Sequence, residues 1–182
     1  MKIGIVIGSI RDGRKGEKVA RWVHEIASRR DDAEFELVDL KQFDVPLLTS
    51  ATVPGAAKRQ YDDPRVTAWG AAIDSYDGFI FVTPEYNHGV PGAFKNAVDS
   101  IGPEWTGKAV SVVSYGADGG VRATEHWRQI LANFQMVVVR GTLTLYVFRD
   151  FDGDDFTPGE RSEGTAGTML DQLVAATARQ MA

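Results

Sequence analysis

Apolar residues fall into two kinds of run along the chain. Five runs are short, and most of them are nearly continuous: IGIVIG (3–8), FELVDL (35–40), GFIFVT (78–83), AVSVVS (109–114) and MVVVRG (136–141). A strand with one wet face alternates apolar and polar residues, whereas a strand covered by helices on both faces is apolar throughout. These runs therefore predict strands of a parallel sheet. Between them, apolar residues recur at helical spacing: Val19, Trp22, Val23 and Ile26; then Val66, Trp69 and Ile73; then Phe94, Val98 and Ile101; then Trp127, Ile130, Leu131 and Phe134. Each set lies on one helix face. A last helix follows Glu163, with Leu170, Leu173 and Val174 inward. Five strands alternating with five helices predict an α/β, doubly wound parallel sheet with helices on both faces. With 182 residues and no repeat or low-complexity linker, residues 1–182 are expected to form a single domain.

In such sheets ligands bind beyond the carboxyl ends of the strands, near the switch in strand order. Three predicted strand ends carry polar or glycine-rich loops: GSIRDGRKGEK, TPEYNHGVPG and SYGADGG. The first runs from Ser9 to Lys18 into a helix N-terminus. Free backbone N–H groups there, the Ser9 hydroxyl and the cations of Arg11, Arg14, Lys15 and Lys18 suit a phosphate. The loop lacks the G-x-G-x-x-G fingerprint. It approaches the triphosphate loop through Gly8 and Gly13, but Arg14 and Lys15 stand where lysine and a magnesium-binding hydroxyl are needed. A monophosphate cradle fits better, with a purely structural glycine turn as the alternative. In the second loop Pro84 ends the strand and Pro91 suits the first turn of the next helix. Glu85, Tyr86, Asn87 and His88 are thus held rigidly at the sheet edge. An aromatic ring among exposed backbone amides suits a flat heterocycle; a stiff connection with Tyr86 packed on the following helix is the alternative.

Charge sharpens the first loop. The net charge of −5 argues against a general affinity for nucleic acid or acidic membranes. Yet Arg11, Arg14, Lys15, Lys18 and Arg21 cluster against only Asp12 and Glu17, which fits either a small anionic ligand or a solvated helix face. The absence of cysteine excludes disulfide and thiolate chemistry. MKIGIVIGSIRDG is too short an apolar run for a signal peptide, and no segment approaches the ~20 apolar residues of a membrane span, so a cytoplasmic protein is expected. His24, His88 and His126 have no spacing for a metal or a triad. VVSYGADGG has Val112 where a nucleophile elbow needs glycine. RDFDGDDFTPGE places its glycine at the fourth position from Asp150 rather than the sixth of a calcium loop, and is expected to be a solvated turn.

Taken together, GSIRDGRKGEK, PEYNHGVPGAFKNAVD and SYGADGG resemble the NAD(P)H-dependent FMN reductase family of flavodoxin-like proteins, over nearly the whole chain. The resemblance implies a flavodoxin-like five-stranded sheet in the order 2-1-3-4-5, bound FMN, NAD(P)H as electron donor, and a homodimer or dimer of dimers. It implies that Ser9 and Arg11 hold the FMN phosphate. Pro84, Glu85, Tyr86 and Asn87 would support the isoalloxazine, and Ser114, Tyr115, Gly116, Gly119 and Gly120 would close on its pyrimidine side. Cofactor contacts are expected to extend to Arg14, Lys15, Gly16, Glu17 and Lys18, and to His88, which faces either substrate or a neighbouring subunit. Two positions depart from the family. Many members have a phosphate-contacting serine at the position of Gly16 and often asparagine at that of Lys18, so a backbone amide and a charge would substitute here. Helix 91–102, with Lys95, Asn96 and Asp99 off its apolar stripe, is expected near the subunit contact.

The implied activity passes hydride from NAD(P)H via flavin N5 to a quinone, azo or nitro compound, or free flavin. No catalytic side chain and no metal are assigned, because the cofactor carries the chemistry. The alternative is a flavodoxin-like electron carrier or FMN-binding module without turnover of its own, although the first loop lacks the carrier's Ser/Thr-rich phosphate signature. A Tyr86 substitution is expected to disturb the ring platform and leave the phosphate cradle untouched.

Overall fold

A computed structural model describes residues Met1–Ala182. Strands β1 (Lys2–Ile7), β2 (Glu34–Asp39), β3 (Gly78–Pro84) and β4 (Ala109–Gly116) pair in parallel in the order β2-β1-β3-β4. β5 (Val137–Val138) and β6 (Leu143–Tyr146) both lie along the free edge of β4, completing a six-stranded flavodoxin-like sheet. Helices α1 (Gly16–Ala27), α2 (Pro64–Asp74), α3 (Gly92–Asp99), α4 (Val121–Ala132) and α5 (Glu160–Met181) cover it.

Side chains alternate across each strand, so the two faces build two cores. On one face Ile3, Ile5, Ile80 and Val82 meet Val19 and Val23 of α1 and Leu170 and Leu173 of α5. On the other, Val6, Phe79, Phe81, Val110 and Val112 meet Trp69 of α2, Phe94 and Val98 of α3 and Trp127 of α4. Every residue of β3 is buried, which is why GFIFVT carries no polar alternation. The Phe81 ring lies 4.7 Å from that of Phe94 and 5.3 Å from that of Trp127. The Trp127 indole N–H donates to Thr83 Oγ1 at 3.1 Å, fixing α4 against the end of β3.

The structure corrects two sequence expectations. MVVVRG is not one fifth strand. Pairing with β4 runs Ala109↔Val137 and Val110↔Val138, then resumes at Val113↔Leu143, so the edge strand holds two extra residues over that span. They bulge at Gly141, whose N–H donates to Gln172 Oε1 at 2.7 Å and whose carbonyl accepts from Ser111 Oγ at 2.7 Å. A Cβ on Gly141 would fall 2.9 Å from Gln172. The second correction concerns RDFDGDDFTPGE. Its turn at Gly153 and Asp154 is exposed as expected, but it is the tip of an antiparallel hairpin, β7 (Phe151–Asp152) and β8 (Asp155–Phe156). Phe151 is buried, and Phe156 meets Trp22 of α1 edge-on at 5.4 Å, so two aromatics dock an acidic tip against α1.

Candidate functional site

The loops after β1, β3 and β4 meet at the carboxyl end of the sheet. The first leaves β1 through Gly8, whose N–H continues the ladder to Val82 O at 3.0 Å. A Cβ on Gly8 would lie 2.0 Å from the Phe94 ring, so only glycine lets the loop sit so low on α3. After Gly13, with φ of 64°, the chain enters α1 with no side-chain cap. The first-turn amides of α1 therefore remain open to a ligand.

The basic cluster separates by partner. Arg14 is nearly buried, donating to Ser9 O at 2.8 Å and to both carboxylate oxygens of Asp39, with Oδ1 at 2.7 Å. Lys15 bonds Gly153 O and Lys18 bonds Asp154 O, both at the tip of the β7–β8 hairpin. Glu17 pairs with Arg21 at 2.8 Å and with Arg14 at 3.4 Å. Arg11 has no ion-pair partner; its guanidinium stands 5.7 Å from the centre of the Tyr86 ring. Of the cations expected at a phosphate, Arg11 alone is uncommitted.

The second loop is a tight two-residue turn. Tyr86 and Gly89 exchange both backbone hydrogen bonds at 3.0 Å, with Asn87 at φ 49° and His88 at φ 65°. Two positive φ angles at the centre are the signature of a type I′ turn. Asn87 and His88 are exposed on it. The Tyr86 hydroxyl lies 2.9 Å from Ser9 Oγ, so the second loop holds the first. The expectation that Tyr86 could change without disturbing the phosphate cradle is therefore corrected: cradle and platform share a hydrogen bond.

Glu85 faces α4. Its side chain is 8% exposed and accepts from Arg122 Nη1 at 2.8 Å, Arg122 N at 2.9 Å and Ala123 N at 3.3 Å. Gly120, the residue before α4, supplies no side-chain cap, so Glu85 caps that helix from another loop. Burial alone would raise the Glu85 pKa, but the Arg122 pair and the two amides outweigh it and hold the carboxyl below its ordinary value.

The third loop is shaped by its glycines. Gly119 and Gly120 have φ of 76° and 73°, and a Cβ on Gly119 would lie 2.2 Å from Thr144 Cγ2. Ser114 Oγ donates to Gly119 O at 2.8 Å and so serves its own loop. Tyr115 turns beneath the first loop toward Gly16. Burial, followed by the neighbouring Tyr86, pushes the Tyr115 phenol pKa up.

Ser9, Arg11, Pro84, Tyr86, Tyr115 and Gly116 line one cleft of about 340 Å³, with Arg14, Lys15 and Glu85 also at its wall. Gly13 and Ala117, which lie within the first and third loops but are not among the expected site residues, join it, and so does Val147 from outside all three loops. Val147 carries no motif; its N–H donates to Gly116 O at 3.0 Å, which seats it there. Glu17, Lys18, Asn87, His88, Ser114, Gly119 and Gly120 do not line the cleft, and Gly16 meets it through Tyr115. Larger cavities of about 410, 480 and 670 Å³ lie elsewhere, but none gathers these three loops. An uncommitted guanidinium beside open helix amides fits a phosphate monoester. The rigid backbone of residues 84–86 and Gly116 beyond it leaves a wall for a flat ring.

Comparison with known proteins agrees with this geometry. The model of the NADPH-dependent FMN reductase family matches residues 1–148. The NAD(P)H-dependent FMN reductase ntnL of Nectria sp is 38% identical over 151 residues, covering 81% of this chain and 75% of that protein. A Pseudomonas putida quinone reductase is 34% identical over 146 residues, covering 74% and 71%. Among solved structures, the flavoenzyme NAD(P)H:(acceptor) oxidoreductase FerB of Paracoccus denitrificans superposes with a TM-score of 0.75 at 20% identity, over 98% of both chains. With its flavodoxin-like sheet, its three converging loops and these relatives, the chain belongs to the NADPH-dependent FMN reductase family of oxidoreductases.

Proposed function

We propose that the protein uses FMN to pass hydride from NAD(P)H to an organic acceptor, such as a quinone, an azo or nitro compound, or free flavin. The observation that carries this is the single cleft in which three strand-end loops meet Arg11, the one uncommitted cation at the α1 N-terminus. Bound FMN would supply the redox chemistry at N5. Arg11, Ser9 and the α1 amides would hold its phosphate, and residues 84–86 with Gly116 would orient its ring. The Tyr86–Gly89 turn and the Glu85 cap fix these backbone groups before any ligand arrives, so the donors need no rearrangement to meet developing charge. The named quinone reductase among the relatives favours a quinone as acceptor.

A homodimer in the cytoplasm fits the same reading. No helix is long and apolar enough to cross a membrane. Asn96 of α3 is not free at the surface: it donates to Pro46 O at 2.8 Å and accepts from Leu48 N at 2.9 Å. It thereby holds out a segment with Leu47 78% and Val53 70% exposed, an apolar surface suited to a second copy.

The test is steady-state NADPH oxidation with catalytic protein, FMN and a soluble quinone. Repeated turnover supports the proposal. A protein that exchanges electrons only once per flavin, and never in excess, is the electron carrier instead.

A further inference from the structure

We propose that the Tyr115 phenol is a phosphate-recognition group that makes the cleft selective for the phosphorylated flavin over riboflavin. The inference rests on the flavin-site proposal above and deepens it. Tyr115 is 6% exposed, lines the cleft and reaches from the end of β4 to the start of α1. Its hydroxyl lies 2.6 Å from where a Cβ on residue 16 would stand, with ring carbons at 3.3 and 3.4 Å. The phenol thus fills the space that the first side chain of α1 would otherwise occupy, and Gly16 is glycine because of it.

Ser9 is held in place from two sides. Ser9 Oγ and the Tyr86 hydroxyl share one hydrogen bond at 2.9 Å, and the Ser9 carbonyl accepts from Arg14 at 2.8 Å. The Tyr115 hydroxyl stands beside Ser9 and the Gly16 amide, and Tyr115 lines the cleft. The Gly16 amide can donate to the Tyr115 oxygen, which leaves the phenol proton free to point into the cleft. Its surroundings are the open amides of a 12-residue helix and the uncommitted Arg11. Phenol, amides and guanidinium are all donors, and a tetrahedral dianion presents acceptors to all three at once. Because burial raises its pKa, the phenol keeps its proton throughout the physiological range and can only strengthen binding of an anion by donating.

The shared chemistry is a phosphate, which could belong to FMN or be free. The experiment separates these by titrating FMN, riboflavin and inorganic phosphate against four proteins: wild type, Tyr115→Phe, Gly16→Ser and the double variant. Flavin fluorescence gives affinity, and melting temperature confirms folding. Tyr115→Phe should weaken FMN binding about tenfold or more, the usual effect of losing a hydrogen bond to a charged group. Riboflavin affinity should not change, and inorganic phosphate should compete with FMN less well than in the wild type. Gly16→Ser alone should weaken FMN, because its Cβ meets the Tyr115 hydroxyl. With the phenol oxygen removed that clash is absent and a hydroxyl returns to the same place, so the double variant should regain FMN affinity over Tyr115→Phe.

An unchanged ratio of FMN to riboflavin affinity in Tyr115→Phe overturns the proposal, whether both bind as before or both weaken together. The latter would make Tyr115 a packing residue. A wild type that binds neither flavin would overturn the flavin site as well, and so is distinguishable from failure of Tyr115 alone.

Discussion

Replacing Glu85 tests whether the second and third loops are braced as one unit. In Glu85→Ala the α4 N-terminus loses its only cap, which costs about 1 kcal/mol. The ion pair with Arg122 is lost too, but it adds little because the Arg122 side chain is 39% exposed and screened. Loss of the cap alone corresponds to a fall of roughly 2–4 °C in Tm for a protein of this size. Glu85→Gln keeps an oxygen for the amides and loses the charge, so its cost should be about half as large.

The pH dependence has a definite sign. The folded pKa of Glu85 is depressed, so its contribution is full above the unfolded value of about 4.3 and is lost as pH falls through the folded value. Glutamine does not titrate there. The stability gap between wild type and Glu85→Gln should therefore be largest near neutrality and shrink in acid. Chemical denaturation across that range, with urea as denaturant, measures it. A glutamine variant as stable as wild type at neutral pH would refute the brace, and so would a gap that does not narrow in acid.

Arg11→Ala should weaken FMN by about 1.5–3 kcal/mol and leave riboflavin unchanged in fluorescence titration; Lys18→Ala, whose ammonium bonds the β7–β8 hairpin, should change FMN affinity far less. Tyr86→Phe keeps the ring and removes the bond to Ser9, so FMN affinity should fall by about 1 kcal/mol while riboflavin loses little. His88→Gly relieves a non-glycine residue at φ 65° and should raise stability by up to about 1 kcal/mol in thermal melts.

β1, β3 and β4 are legible in the sequence because helices cover both of their faces and leave continuous apolar runs, whereas β2, at the sheet edge, carries Glu34, Glu36 and Asp39 between its apolar residues. The stripes of α1, α2 and α4 are legible because one helix face must bury itself. The edge beyond β4 is less so. Val137–Val138 and Leu143–Tyr146 each bond to part of one strand, and nothing local in RGT announces a bulge around Gln172, a residue of α5. Loop positions are also legible, since ligand sites follow strand ends, but the direction of each side chain is not. Lys15 and Lys18 look like phosphate ligands from their neighbours in sequence, yet they bond backbone 138 and 136 residues away. Glu85 sits in the loop proposed to carry the ring, and its carboxylate caps a helix 37 residues on. Tyr115 and Gly16 explain each other only once β4 and α1 are side by side.

The central claim is that this cleft passes electrons from a nicotinamide through FMN to an acceptor. Its most direct test is the visible absorbance of the FMN-loaded protein under argon. On addition of NADPH the oxidised flavin band should bleach, and a quinone added afterwards should restore it in proportion to the quinone supplied. A flavin that binds tightly yet keeps its oxidised spectrum with both NADPH and NADH, or that bleaches and is not reoxidised by any quinone, azo, nitro or flavin acceptor, would contradict the account.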